Sequence, residues 1–190
     1  AAWSSNETDT TTSIGWGDYD NDGDLDLAFV NSNQPNRIYR NDGNTLLPSA
    51  DWLSSESDAT RSIAWGDYDA DGALDLAVGN YNQATKLYRN DDGSLTTSSV
   101  WQSQEANKTT SIAWGDFDND SDLDLAVGNT DQPNKLYRNE GGVLILDWSS
   151  FENDDTTSIA WGDYDGDGYL DLAVGNWDES NRLYHNLGGT

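Results

Sequence analysis

An acidic loop of nine residues recurs four times along the 190-residue chain and carries the side chains best suited to chemistry. In every copy Asp occupies positions 1, 3, 5 and 9, and position 6 is Gly in three of the four copies. Such alternating carboxylates can surround a hard cation with oxygen, and Ca²⁺ accepts about six to eight oxygen ligands in irregular geometry, whereas Mg²⁺ demands a stricter octahedron. The loops therefore predict up to four calcium ions, with position 7 adding a backbone carbonyl. The predicted metal ligands are Asp18, Asp20, Asp22, Asp24, Asp26, Asp67, Asp69, Asp71, Ala73, Asp75, Asp116, Asp118, Asp120, Asp122, Asp124, Asp163, Asp165, Asp167, Tyr169 and Asp171.

Asp and Gly are also ordinary turn formers, so a single loop of this kind could be purely structural. Four copies in one register favour a metal site, because four carboxylates within nine residues repel one another unless a cation lies between them. The third copy departs from the pattern, since Ser121 stands where the others have Gly. The turn at position 6 favours a positive φ, which costs Ser roughly 1 kcal/mol, so the third site is expected to be the weakest.

The acidic loops lie inside a longer repeat. The string Ser-Ile-(Gly/Ala)-Trp-Gly-Asp-(Tyr/Phe)-Asp begins at Ser13, Ser62, Ser111 and Ser158, which are 49, 49 and 47 residues apart. Repeats of about 20–50 residues are typical of solenoids, propellers and arrays. Each acidic loop follows this string directly, so the repeat must position the loop.

Each repeat is predicted to form four short strands. In the first repeat they are Thr12–Asp18, Leu25–Val30, Arg37–Arg40 and the variable stretch that ends near Trp52. Asp42-Gly43 marks a hairpin turn between the last two, and no segment keeps the apolar period of a helix. Four strands in about 48 residues match a propeller blade. The predicted fold class is all-β, a β-propeller with four blades per chain of four antiparallel strands each.

Residues 1–190 are expected to form a single propeller domain, with repeats at approximately 4–52, 53–101, 102–148, and 149–190 plus 1–3. Trp3 matches Trp52, Trp101 and Trp148, which mark the fourth strand. The N-terminal strand is therefore expected to complete the last blade, with Trp3 buried against that blade. The strand would come from the same chain or from a partner. A four-bladed monomer, an eight-bladed dimer and a filament all remain open.

The motif resembles a known family. The pattern Trp-Gly-Asp-(Tyr/Phe)-Asp-x-Asp-Gly-x-x-Asp-Leu-Ala-Val-Gly-Asn is similar to the FG-GAP/VCBS repeat of integrin-alpha-like and propeller-lectin-like calcium-binding proteins. The resemblance covers nearly the whole chain. It implies a propeller with the first strand of each blade innermost and with calcium ligands at Asp18, Asp20, Asp22, Asp26 and their counterparts. Propellers of this family usually have seven blades, whereas this chain has four repeats.

Composition excludes several classes of function. The formal net charge of −26 is opposite to the basic footprint of a nucleic-acid-binding protein. No apolar run approaches the roughly 20 residues needed to cross a bilayer, so membrane insertion is not expected. Without Cys there is no disulfide, thiolate metal site or cysteine nucleophile. The chain is expected not to be an enzyme, because its acids recur in equivalent loops and its one histidine, His185, stands where other repeats have Arg.

Departures from the repeat suggest where a ligand binds. Tyr81 and Trp177 follow the second strand where the other repeats have Ser or Thr, and they could stack on a sugar ring or simply pack between blades. Asn6 and Asn107 lie in Asn-x-Thr sequons that fall in equivalent loops, and these sequons are candidates for N-glycosylation or occur by chance. The recurring Lys and Arg could meet anionic sugars, but ion pairing within the protein is the favoured interpretation.

These observations predict a calcium-binding, secreted or cell-surface recognition or adhesion module, with carbohydrate as one candidate ligand. The expected partners are a glycan or protein ligand on a surface, and possible self-association through the terminal strands would give a homo-oligomer. The alternative is a structural building block that assembles into an oligomer or an extracellular filament. A polysaccharide-active enzyme is the least favoured hypothesis.

Overall fold

The computed structural model describes residues 2–188 and contains strands and turns but no helix within that range. The strands are β1 (Thr11–Gly17), β2 (Asp26–Asn31), β3 (Arg37–Tyr39), β4 (Trp52–Leu53), β5 (Thr60–Gly66), β6 (Asp75–Asn80), β7 (Lys86–Tyr88), β8 (Trp101–Gln102), β9 (Thr109–Gly115), β10 (Asp124–Asn129), β11 (Lys135–Asn139), β12 (Leu144–Ser149), β13 (Thr156–Gly162), β14 (Asp171–Asn176) and β15 (Arg182–Tyr184). The predicted strands of the first repeat are confirmed to within one or two residues.

The strands form four antiparallel sheets, one for each repeat. Three sheets have four strands in the orders β1-β2-β3-β4, β5-β6-β7-β8 and β9-β10-β11-β12. The fourth has three strands among the described residues, in the order β13-β14-β15. Sequential antiparallel strands joined by tight turns are the construction of a propeller blade. The predicted all-β blade architecture is confirmed.

The second and third blades each have a middle strand with two buried faces. Every residue of β6 and β10 is buried, because neighbouring blades cover both faces of these middle strands. The first strand of each blade is more exposed to solvent than the middle strand, and it alternates small and large residues. In the second blade, Ile63 and Trp65 of β5 pack against the cluster formed by the first two blades. The core is therefore a series of apolar seams between successive blades.

The first strands line the inner side of the array. β1 packs on β5, β5 on β9, and β9 on β13, as the resemblance to the repeat family implies. Within residues 2–188 there is no comparable packing of β13 on β1, so the four sheets form an open arc and not a closed ring. The first and fourth blades consequently each have one side that no other blade within the described residues covers.

Trp3 lies on the first blade, in contrast to the expectation that it would be buried against the last one. Its ring contacts Tyr39 at 5.1 Å and Phe29 at 6.1 Å between centroids. The reason is a regular feature of the fold, in which the landmark Trp of each blade packs edge-on against a Tyr of the next blade, as Trp52 does on Tyr88. Completion of the last blade by the N-terminal strand of the same chain is therefore not observed.

No helix in the described part of the chain is long and apolar enough to cross a membrane.

Candidate metal centres

Hydrogen bonds within each acidic loop hold the carboxylate at position 1. In the first loop Asp18 accepts the backbone N–H of Asp22 at 3.1 Å and that of Gly23 at 3.0 Å, one on each carboxylate oxygen. Asp22 in turn accepts the N–H of Asp24 at 2.9 Å. Equivalent bonds recur in the other three loops. The tight turn thus folds the carboxylates at positions 1 and 5 toward one another.

Position 6 requires the left-handed backbone that the sequence predicted. The φ angle there is +92° at Gly23, +93° at Gly72 and +93° at Gly168. Ser121 adopts +79° at the same position and still donates its N–H to Asp116 at 3.0 Å. The third loop therefore keeps the shared geometry at the cost of placing a side chain in a disfavoured conformation.

The carboxylate at position 9 ties the acidic loop to the middle of its blade. Asp26 is buried and accepts the backbone N–H groups of Tyr19 at 3.1 Å and Asn41 at 2.7 Å. In the first three loops, burial raises the pKa of this carboxyl group, to about 6 for Asp26, about 7 for Asp75 and about 6 for Asp124. A buried carboxylate with a raised pKa is one that a nearby cation would stabilise in its charged form.

The carboxylates of each loop converge within coordination range of one another. Four groups of three place one oxygen from each member within 4.8 Å of the others, and they are Asp18/Asp20/Asp22, Asp67/Asp69/Asp71, Asp116/Asp118/Asp124 and Asp163/Asp165/Asp171. At position 3, burial and then the neighbouring carboxylates raise the pKa of Asp20, Asp69 and Asp118. The loops thus concentrate negative charge around a common centre.

Two buried oxygens show that the loops suit a hard cation. Oδ1 of Asp20 and Oδ1 of Asp69 are buried and have no hydrogen-bond partner among the described residues. A buried acceptor without a donor is costly, and a cation among the carboxylates would satisfy it. Oxygen donors with few other ligand types match the preference of Ca²⁺.

Position 7 contributes differently from loop to loop. Asp24 accepts the N–H of Gly43 at 3.0 Å and Asp122 accepts that of Gly141 at 2.9 Å, so both side chains anchor the hairpin turn of their own blade. Ala73 and Tyr169 at the same position offer no carboxylate. A shared role for position 7 would have to use the backbone carbonyl, and that role stays a prediction.

The recurring cations are paired with acids, which supports the ion-pairing interpretation over a free ring of positive charge. Lys86 lies 2.6 Å from Asp58, and Arg37 lies 2.5 Å from Asp9. Near the first loop, Arg40 Nη1 lies 3.7 Å from Asp20. His185 takes the corresponding place in the last repeat and lies 2.9 Å from Asp165, so it neighbours the fourth loop.

Tyr81 and Trp177, the predicted stacking residues, lie in different surroundings. Tyr81 is half-buried and lines an open depression with Thr12, Arg61 and Thr110, and the Arg61 guanidinium lies 5.5 Å from its ring centroid. Trp177 is 71% exposed and does not line that depression. The structure does not bring the two aromatic residues into one site.

Arg61 was missed by the sequence analysis, although a signal was present. The equivalent position is Thr in the other three repeats. Thr12 and Thr110 each donate a hydroxyl hydrogen bond to the backbone of the following blade, to Thr60 and Thr156 respectively at 2.6 Å. A comparison of the repeats position by position would have found this substitution.

The two sequon asparagines also differ. Asn6 is exposed and donates to the Ser49 hydroxyl at 2.9 Å, so it is reachable by a modifying enzyme. Asn107 is only 8% exposed, which disfavours glycosylation of the folded protein at this position. Modification of Asn6 stays a prediction.

Comparison with protein-family models adds independent information. The model described as FG-GAP-like repeat matches residues 18–78, 67–127 and 116–174, which together cover most of the chain. The chain belongs to the FG-GAP-like repeat family. The overlapping matches advance by one blade each, so the FG-GAP unit coincides with the repeat that carries the acidic loop. A search of curated proteins finds no match to this FG-GAP chain.

Solved structures share the fold of this FG-GAP chain at low sequence identity. The computationally designed Ika4 protein superposes with a TM-score of 0.64 at 12% identity over 97% of both chains. BBS1N, solved in complex with ARL6DN, superposes with a TM-score of 0.66 at 14% identity over 98% of this chain and 56% of its own. The designed Ika8 protein gives 0.63 at 11% identity over 92% and 45%. The FG-GAP chain thus spans about half the length of the last two.

Proposed function

We propose that this FG-GAP chain is a calcium-binding, non-catalytic propeller that serves outside the cell as a recognition or adhesion module. The observation that carries the proposal is the convergence of three carboxylates in each of four loops, together with the unpartnered buried oxygens of Asp20 and Asp69 among the described residues. Calcium would hold the loop carboxylates in place and join the ends of the first two strands of each blade.

Calcium also accounts for the charge balance of the loops. The chain carries a net charge of −26, and much of that charge is concentrated in the four loops. Extracellular calcium modules bind with dissociation constants of about 10⁻⁴–10⁻³ M, which suits a medium that contains millimolar calcium. Sites with such dissociation constants would be filled outside the cell, which is the location that we propose.

The metal part of the proposal is tested by calorimetric titration of the metal-free protein with Ca²⁺, with Mg²⁺ as the comparison ion. We expect up to four sites and weaker binding of Mg²⁺. Asp69→Asn should remove one site, because it replaces an unpaired oxygen donor in a single loop. Absence of calcium uptake at about 10 mM, ten times the weak end of the range for extracellular modules, would contradict the proposal.

The recognition part is supported by the depression around Tyr81. Arg61 has no acid within ion-pairing distance among the described residues, whereas recurring cations such as Arg37, Lys86 and Arg138 are paired with acids. A planar guanidinium above an aromatic ring, with the Thr12 and Thr110 hydroxyl oxygens nearby as acceptors, provides groups that bind a sugar with carboxylate or hydroxyl substituents. Carbohydrate is therefore the ligand class that we propose.

A glycan array with two repeat-restoring variants tests this ligand class. Arg61→Thr and Tyr81→Thr introduce the residues that other repeats use at these positions, so they should leave the blades intact. Both variants should lose binding that the unmodified protein shows. Trp177→Thr is the matched control outside the depression. Equal binding by all four proteins, or no binding by any, would count against a glycan site here.

A further inference from the structure

The open arc has two exposed ends that differ from the covered seams between its blades. We call the uncovered side of the first blade the leading face, formed by Trp3, Ile14, Trp16 and Asn41. The uncovered side of the fourth blade is the trailing face, formed by Ser158, Gly162, Tyr164, Gly175 and Leu183. Each residue set has counterparts in the covered seams, and those seams show what normally lies against it.

In a covered seam, a Trp of one blade lies on a Gly of the preceding blade. A Cβ placed on Gly66 would lie 2.8 Å from the Trp114 ring, and one on Gly115 would lie 2.6 Å from the Trp161 ring. Only a residue without a side chain admits the indole at such a distance. The Trp-Gly pair of the repeat is therefore a knob and socket between neighbouring blades.

At the two ends of the arc, the Trp knob and the Gly socket each lack a neighbouring blade among the described residues. Trp16 is 54% exposed, and Ile14 beside it is similarly open. Across the arc, a Cβ on Gly162 would meet no atom of the described residues within 4 Å. One end thus offers an unfilled glycine socket, and the other offers the indole that fits it.

Polar groups repeat the same complementarity. In the seams, an Asn side chain donates to a backbone carbonyl of the preceding blade, as Asn139 does to Tyr68 at 2.6 Å. The aromatic residue that carries this carbonyl is covered in the seam, with Tyr68 7% exposed, whereas Tyr164 on the trailing face is 58% exposed. Asn41 on the leading face is the donor that corresponds to Asn139.

A strand edge completes the match. In the second blade, Leu87 of β7 pairs with Trp101 of β8, and Trp101 packs on Tyr137 of the next blade at 5.1 Å. Trp3 already packs on Tyr39 at 5.1 Å. Leu183 of β15, the counterpart of Leu87, has no fourth strand beside it within the described residues. Within residues 2–188, the leading face therefore carries an outer-strand residue, Trp3, and the trailing face has a free strand edge beside Leu183.

We propose that the trailing face binds the leading face of a second copy of this chain. Trp16 of the second copy would lie on Gly162, its Asn41 would donate to the Tyr164 carbonyl, and its Trp3 would pair beside Leu183. The internal repeat makes the two faces complementary, because each equals one half of a seam already present in the fold. Two copies joined at both ends form a closed two-fold ring of eight blades.

The shape of the arc favours a second copy over closure of one chain on itself. β13 and β1 lie too far apart to pack as neighbouring first strands do within the described range. The arc also superposes on 56% and 45% of two longer chains, so the same fold occurs in chains of about twice this length. The proposal does not rest on the proposed function, since its contacts are the packing of Trp16 and Trp3 and a hydrogen bond from Asn41 to a backbone carbonyl.

Light scattering of the full chain in calcium buffer tests the proposal. We expect a mass of twice 20.8 kDa. Gly162→Ala should abolish the dimer without changing the melting temperature of the monomer, because the added methyl group meets nothing in the single chain. Trp16→Ala should raise the dimer dissociation constant roughly 30-fold or more, the effect of an interface hot spot. Phe151→Ala is the control, since this residue is 98% exposed and lies on neither face.

A mixing experiment distinguishes head-to-tail docking from any other self-association. Trp16→Ala chains keep a normal trailing face, and Gly162→Ala chains keep a normal leading face, so a mixture restores one unaltered contact. We expect mixed dimers from two variants that are each monomeric alone. A monomeric wild-type protein at about 0.1 mM, well above the micromolar range of moderate complexes, overturns the proposal. An oligomer that persists in Gly162→Ala overturns it as well.

Discussion

The seams between blades and the acidic loops come from the same repeat, yet they are stabilised in different ways. A seam is complete within the chain, since Val78 and Tyr88 are buried against the preceding blade. An acidic loop holds mutually repelling carboxylates, and Asp69 keeps a buried oxygen without a partner among the described residues. The contrast indicates that the seams are stabilised by burial of apolar surface within the chain, whereas the proposed function assigns a cation to the loops.

Calcium removal should produce the largest change and should act on the loops alone. At calcium concentrations ten times the dissociation constant, each site adds about 1.4 kcal/mol to the free energy of unfolding, so four sites add about 5–6 kcal/mol. This is comparable to the net stability of many domains, about 5–15 kcal/mol. Scanning calorimetry with and without excess EDTA should show a large fall in the melting temperature. An unchanged melting transition after verified metal removal would show that the loops, like the seams, are stable without a cation.

Truncation of a seam tryptophan should cause the next largest loss of stability. Trp161→Ala removes the indole that fills the Gly115 socket and should lower the free energy of unfolding by about 3–5 kcal/mol. The decrease should be similar with and without calcium, because Trp161 is not one of the predicted metal ligands. Trp16→Ala is the matched variant on the leading face, and for dilute monomer we expect a change within about 0.5 kcal/mol. Urea unfolding measures the free energy of unfolding of both variants. Equal losses in Trp161→Ala and Trp16→Ala would show that the position of the tryptophan in the arc does not affect its contribution to stability.

Addition of one methyl group gives a smaller and more local test of the seams. Gly115→Ala should destabilise the chain by about 1–3 kcal/mol, because its Cβ would overlap the Trp161 ring and overpack the seam. Gly162→Ala should leave the unfolding of dilute monomer unchanged. Thermal melts of the two variants at low protein concentration provide the comparison. A stable Gly115→Ala protein would mean that the seam is looser than the structure shows.

The smallest expected effect concerns the third loop. Ser121→Gly removes a side chain from a residue with a φ of +79° and should strengthen calcium binding at that site about fivefold, which corresponds to roughly 1 kcal/mol. Gly72→Ser is the reciprocal variant and should weaken the second site by a similar factor. Calorimetric titration resolves the two changes. Four equal sites that respond to neither substitution would show that the loop glycine is unimportant for affinity.

Much of the fold follows from local patterns in the sequence. The repeated Trp-Gly-Asp string placed β1 and β2 to within a residue, because alternation of side chains and a tight acidic turn are encoded by neighbouring positions. The positive φ at Ser121 was also predictable, since the other three loops have Gly there. Backbone geometry of this kind depends on contacts only a few residues apart.

The environment of each repeated residue was decided by tertiary structure. The sequence could not show that Trp3 packs on the first blade, because that depends on which blade follows each outer strand. Nor could it show that Trp16 is exposed while Trp161 packs in a seam, although both occupy the same place in the repeat. Local sequence determines the backbone of a blade. The burial of a side chain depends on a neighbouring blade tens of residues away, and only the assembled arc decides which copies of the repeat have such a neighbour.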